Sequence, residues 1–223
     1  MKYTLVRIVA SALLLQTGGV AQDAFFNVDA KGIQTFKTLD QVGRNQMIFI
    51  SKAPSEDFIG TAEVSTAVIR FDPSNISKTI EGKFSVEVKS MTTGLKIRDS
   101  DMLGKDWLDA DTYPAINFTV RKLEQLKSID LNRIKGIATG NFTLHGVTKS
   151  ISMPVIIRYM EHRIIHKNVL CDLLIVNANF SIKYSDYGVK GSADFVGSAF
   201  MENVNIEVNI YCSNGADAVQ SEK

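Results

Sequence analysis

Alternation of apolar and polar positions is the dominant signal along this chain. The stretch EGKFSVEVKS (81–90) puts Gly82, Phe84, Val86 and Val88 on one face and Glu81, Lys83, Ser85, Glu87 and Lys89 on the other. A period of two sustained over such a run specifies a half-buried β-strand. The same period returns at Ile116-Phe118-Val120, Ala138-Gly140-Phe142-Leu144 and Ile151-Met153-Val155-Ile157. It recurs at Leu174-Val176-Ala178-Phe180-Ile182 and at Val204-Ile206-Val208-Ile210. NQMIFIS (45–51) is a short apolar run, AEVSTAVIRFD (62–72) is a β-branched strand stopped by Asp72-Pro73, and a weaker strand falls near 33–37. GNFTLHGVTKSISMPV (140–155) reads as two strand arms joined by a tight turn at Gly146. One stretch only, 95–114, looks helical, with Asp99 or Ser100 as its cap and Gly104 limiting it to a turn or two. The expectation is about eight strands at the spacing of a sandwich or barrel.

An antiparallel sheet with one apolar face either packs against a second sheet or closes on itself and hides its edges. A closed eight-stranded barrel is just wide enough to be filled by side chains or to hold one small ligand. The apolar faces carry small residues, Gly82, Ala138, Gly140 and Ala178, beside large ones such as Phe84 and Phe142. That combination suits room for a guest, and it equally suits large-against-small interdigitation in a dry core. Patterning leaves both open.

The N-terminus changes the picture. Lys2 and Arg7 precede the apolar run Ile8 to Leu15, too short to span a bilayer, and Gly19-Val20-Ala21 supplies small residues for cleavage. Residues 1–21 are therefore expected to be a secretory signal peptide, 22–212 the folded domain and 213–223 a disordered polar tail. Loss of the two leader cations takes the formal net charge from +1 to −1. A balance so near neutral gives no electrostatic case for nucleic acid or an anionic membrane, and no later stretch reads as a membrane span. Cys171 and Cys212 are the only cysteines, and an exported chain could join them at a barrel end. They form no metal motif, and no cofactor is expected. His162 and His166 have helical spacing in a stretch that reads as strand, and His145 stands alone at a turn. No serine elbow, zinc-protease helix or phosphate loop is present. Asp106, Asp109 and Asp111 cluster near the helical stretch, where a solvated cap explains them better than acid–base chemistry.

Three segments, taken together, resemble a known family. SMTTGLKIRDSDMLGKDWLDADTYPAINF (90–118) resembles the YceI-like signature, in which a strand leads into Arg-Asp, a short helical stretch, an Asp-aromatic-Leu step and Tyr-Pro before a Phe-containing strand. GNFTLHGVTKSISM (140–153) is similar to its Gly-Val-Thr-Lys hairpin, and FSIKYSDYGVKG (180–191) to its Phe-x-Ile-x-Arg-x-Asp-Phe-Gly segment. Order and spacing agree over roughly 45–211. Asp101 stands where many members carry His, and Tyr184 departs from the family's basic step.

The resemblance implies an eight-stranded, antiparallel, lipocalin-like β-barrel with one short helix, exported to the bacterial periplasm, that binds a polyisoprenoid or other long-chain lipid without catalysis. A dry-cored sandwich serving as an envelope interaction module is the alternative. In a lipid barrel the inward Phe84, Val86, Val88, Phe118, Phe142, Leu144, Phe180, Ile182, Ile206 and Val208 would line the chain's site. Each buried CH₂ is worth about 0.8 kcal/mol, so such a wall needs area and shape more than polar groups. Arg98 and Asp99 would meet a head group or else form a structural pair, and Trp107 and Tyr113 would lid or plug the barrel. The ligand's identity and the oligomeric state are not encoded in these patterns.

Overall fold

The computed structural model describes residues 26–40, 43–52, 57–165, 168–190 and 202–217; the expected signal peptide lies outside them. Among these residues nine strands form a single antiparallel sheet: β1 (Gln34–Thr38), β2 (Gln46–Lys52), β3 (Asp57–Phe71), β4 (Glu81–Glu87), β5 (Ala115–Ser128), β6 (Arg133–Leu144), β7 (Val147–Ile164), β8 (Leu170–Lys183) and β9 (Asn203–Ser213). Helix α1 (Ile76–Thr79) precedes β4 and α2 (Lys96–Leu103) lies between β4 and β5.

The ladder runs from β3 through β2, β9, β8, β7, β6, β5 and β4 and returns to β3, so the sheet closes. A packed sandwich is excluded by that closure. Strands β1 and β2 run in the same direction and share one barrel position, since both pair with β3 and with β9. Nine strands thus occupy eight positions, which is why the barrel has eight staves. Asn45 bridges the break between the two half-strands. Its side chain donates to Asp40 at 2.6 Å and accepts from the Tyr211 amide at 2.7 Å, and its carbonyl accepts from Val64 N. A buried side-chain amide here replaces backbone bonds that the interrupted strand cannot make.

Both ends are stoppered. At one, Phe26, Phe36, Phe71 and Tyr159 are buried with ring centroids 5.3–6.2 Å apart, mostly tilted or edge-on. Tyr159 donates its hydroxyl to Asp172 at 2.8 Å, which satisfies its one polar atom. At the other, the segment after β4 and the turn after β8 bring in Val88, Met91, Leu108, Ala110, Tyr187 and Val189, all buried. The β6–β7 hairpin closes on this second end. His145 and Gly146 both have positive φ (50° and 73°), the geometry of a two-residue turn that matches strand twist.

The tail differs from expectation. Ser213 still belongs to β9, Ala216 is buried, and Asp217 bonds Lys37 at 2.7 Å, so the fold continues at least to residue 217. Helix α2 also begins earlier than a cap at Asp99 or Ser100 allows. Leu95 holds the N-cap position without a side-chain bond, and Gly104 ends the helix as expected.

Candidate functional site: an apolar cavity inside the barrel

Residues from eight strands and Ile80 line a cavity of about 100 Å³. Every lining side chain except Asn117 is apolar. An apolar lining of this kind offers water few hydrogen-bond partners and favours a hydrocarbon guest. The cavity's size falls below the about 150 Å³ that admits a benzene ring. The space nonetheless sits among side chains that turn easily: Met47 and Met153 across the barrel, and the half-buried rings of Phe84, Phe118 and Phe180.

Of the ten positions expected to line a chain, Phe84, Val86, Phe118, Phe142, Phe180 and Val208 border the cavity. Val88, Leu144, Ile182 and Ile206 are buried in the same core but do not border the cavity, and Val88 lies in the turn that follows β4. The small residues divide in the same way. Ala138 and Ala178 border the void. Gly140 does not: a Cβ there would lie 2.3 Å from the Thr119 carbonyl oxygen and 2.7 Å from the Phe118 ring. A Cβ at Gly82 would meet Val120 at 2.8 Å and Phe84 at 3.1 Å. Two glycines therefore seat neighbouring side chains, and two alanines leave space.

Sequence reasoning did not assign Met47, Leu123, Met153 and Leu174 to the wall, although all four line it. Met153 and Leu174 belong to the alternating sets already recognised. Leu123 lies between two register shifts of the β5–β6 ladder, where alternation is broken.

The polar residues singled out beside the barrel are engaged structurally. The Arg98 guanidinium lies 4.1 Å from the centroid of the Phe58 ring. Asp99 accepts from the Thr92 hydroxyl and from both the amide and the hydroxyl of Thr93, at 2.6–2.7 Å. Partial burial pushes the Asp99 carboxyl up, while the bonds from Thr92 and Thr93 and the Arg98 charge outweigh it and hold it below its ordinary value. Trp107 packs edge-on against Tyr184 at 6.2 Å. Tyr113 lies 4.3 Å from the His145 ring and over Gly146, so it covers the hairpin turn. Asp111 pairs with Lys89 at 2.7 Å on the surface.

Cys171 and Cys212 are buried free thiols. The β8–β9 register sets Leu174 opposite Cys212, while Cys171 packs with Leu39, Leu173 and Ala216 in a separate small cluster. Burial pushes the Cys212 thiol up to about 12, so it stays protonated and unreactive at neutral pH. No group of metal-ligating side chains occurs among the described residues, and His166 lies outside them. No helix among the described residues is long and apolar enough to cross a membrane.

Comparison with known proteins bears on this geometry. Solved structures that share the fold include Burkholderia cenocepacia BcnA (21% identity, TM-score 0.59, covering 75% of this chain and 95% of that one) and a polyisoprenoid binding domain from Saccharophagus degradans (14%, 0.54, 79% and 97%). No curated protein matches the chain. The YceI-like domain is matched over residues 38–212, from the last residue of β1 almost to the end of β9, and the chain belongs to the YceI-like family.

Proposed function

We propose that this protein binds the apolar chain of an isoprenoid-like lipid inside its barrel and shields it from water, without chemical conversion. The observation that carries the reading is the cavity: an apolar void at the centre of a closed barrel, bordered by Ala138 and Ala178 and by side chains free to turn aside. The Saccharophagus domain of the same fold, described as polyisoprenoid binding, supports it. Binding on these terms is partition. Chain methylenes leave water at about 0.8 kcal/mol each, less the entropy of immobilising the chain. A void of about 100 Å³ is too small for a long chain, so the reading requires Phe84, Phe118, Phe180 and the two methionines to swing as the chain threads in.

The export signal read from residues 1–21 sets the site of action in the bacterial envelope, where such a carrier would hold lipids between membranes. The test is direct. Protein purified without detergent is extracted and its lipids weighed by mass spectrometry, and the emptied protein is titrated with polyprenyl and fatty-acyl chains. A co-purifying long-chain lipid, or saturable uptake of an added one, is expected. Protein that carries no lipid and takes up none would refute the proposal.

A further inference from the structure

A chain that binds inside this barrel must reach it, and both ends are closed by buried side chains. Among the described residues the wall itself is interrupted in four places, of which three are covered by backbone or by a buried amide. Asn45 spans the break between β1 and β2. Beyond Val120 the β4–β5 ladder ends, and α1 packs on β5 there with Ile76 buried. Before Val64, β3 lacks β4 as a partner, and Thr61 instead exchanges backbone bonds with Thr92.

The fourth interruption is different. The β7–β8 ladder begins at Val155↔Ala178 and runs only toward the aromatic end. Residues 147–154 of β7 pair with β6 alone, and 179–183 of β8 with β9 alone. Pro154 stands at the split and has no amide to donate. Among the described residues, no backbone hydrogen bond crosses this seam. Side chains close it. Phe142 meets Phe180 at 5.8 Å and Tyr187 at 5.5 Å, both edge-on. On the outside Lys149 reaches across to Asp186 at 2.7 Å, with its ammonium 5.8 Å from the Tyr187 ring. Lys149 occupies an inward-register position opposite Phe142, yet its side chain reaches solvent. Both members of that ion pair are more than 40% exposed, and a pair so placed contributes little.

We propose that the β7–β8 seam is the lateral portal through which an apolar chain enters the cavity, with Phe142 and Phe180 as its inner leaves and Lys149–Asp186 as its outer latch. The inference rests on the lipid-binding reading. Phe142, Phe180, Met153 and Ala178 border both the seam and the cavity, so parting the strands joins solvent to void without unmaking a ladder bond. Side-on admission also defines the ligand class. A single flexible hydrocarbon chain slides between the strands while its head group stays outside beside Lys149, so chain shape governs acceptance more than head-group chemistry.

Had the ladder run on, Ser152 and Ser181 would oppose each other on the outer face, away from the cavity. The test joins Ser152→Cys and Ser181→Cys with a short, cleavable bifunctional thiol reagent and follows uptake of a fluorescent polyprenyl chain and a fluorescent fatty acid from neutral phosphatidylcholine vesicles. Cross-linking is expected to slow uptake of both by at least about tenfold, equivalent to about 1.4 kcal/mol of barrier, and cleavage of the linker to restore it. Lys149→Met, which removes the latch and keeps an apolar stem, is expected to load several-fold faster than wild type. Cross-linked protein that loads as fast as the uncross-linked protein overturns the portal while leaving chain binding intact. Wild-type protein that takes up neither probe overturns chain binding and the portal together.

Discussion

At the scale of single residues, the interior distinguishes positions that hold space from positions that hold neighbours. Ala178 borders the void, so Ala178→Leu is expected to fill it, raising stability by about 1 kcal/mol in denaturant melts of the empty protein while lowering lipid uptake. Gly140 is the opposite case. Gly140→Ala drives a methyl into the Thr119 carbonyl and the Phe118 ring, and should cost about 1–3 kcal/mol with no gain in packing. The sign difference between two small inward residues is the check: were the interior uniformly packed, both would destabilise. Ser51 offers a third probe. Its hydroxyl is buried without a hydrogen-bond partner among the described residues, so Ser51→Ala should be neutral or stabilising by about 1 kcal/mol.

Elements carry the next level of argument, and α2 with its preceding loop is a pH-sensitive one. Asp99 ties the Thr92–Thr93 turn to the first turn of α2, and its folded pKa lies below the unfolded one. A depressed carboxyl contributes stability that is complete above the unfolded value, about 3.9, and lost as pH falls through the folded one. Amide protection in residues 92–103, corrected for the intrinsic pH dependence of exchange, should therefore be flat from neutrality to about pH 5 and fall below about pH 4, and Asp99→Asn should abolish that dependence. Sequence alone placed this helix and its end at Gly104, because glycine is a strong stop. It missed the start, because Asp99 bonds backward to threonines in a turn that no helical period marks. Strands behaved similarly. Alternation exposed the cores of β4, β6, β8 and β9, where the ladder is regular. The far halves of β5 and β7 went unread because bulges at Val120–Lys122, Glu124–Lys127 and Met160–Arg163 reset the inward face. Closure, the shared stave of β1 and β2, and the open seam are products of long-range register, which period-two patterning does not specify. The cavity was legible only as a list of inward residues, since whether a glycine leaves room depends on which ring crosses the strand toward it.

For the whole molecule, the decisive contrast is between a wall without charge and a rim with some. Among the described residues no ionisable side chain lines the cavity, so the free energy of holding a chain there comes from apolar area and not from ion pairing. Affinity for a polyprenyl chain should then be unchanged, or slightly tighter, as ionic strength rises. Kinetics should respond differently. The Lys149–Asp186 latch is exposed, and salt at about 1 M shortens the screening length to about 3 Å. If that pair restrains the seam, uptake and release accelerate together with salt while their ratio stays fixed. Bound chain should also stabilise the fold by mass action, about 2.7 kcal/mol at a hundredfold excess over Kd, since only the closed barrel offers the site. Stopped-flow uptake and equilibrium titration at low and high salt, on one preparation, measure rates and affinity together. A steep loss of affinity with salt would place the binding energy on charged groups outside the barrel, Arg98 among them, and would contradict binding by partition. Faster exchange at constant affinity is what an uncharged interior behind a weakly latched seam requires.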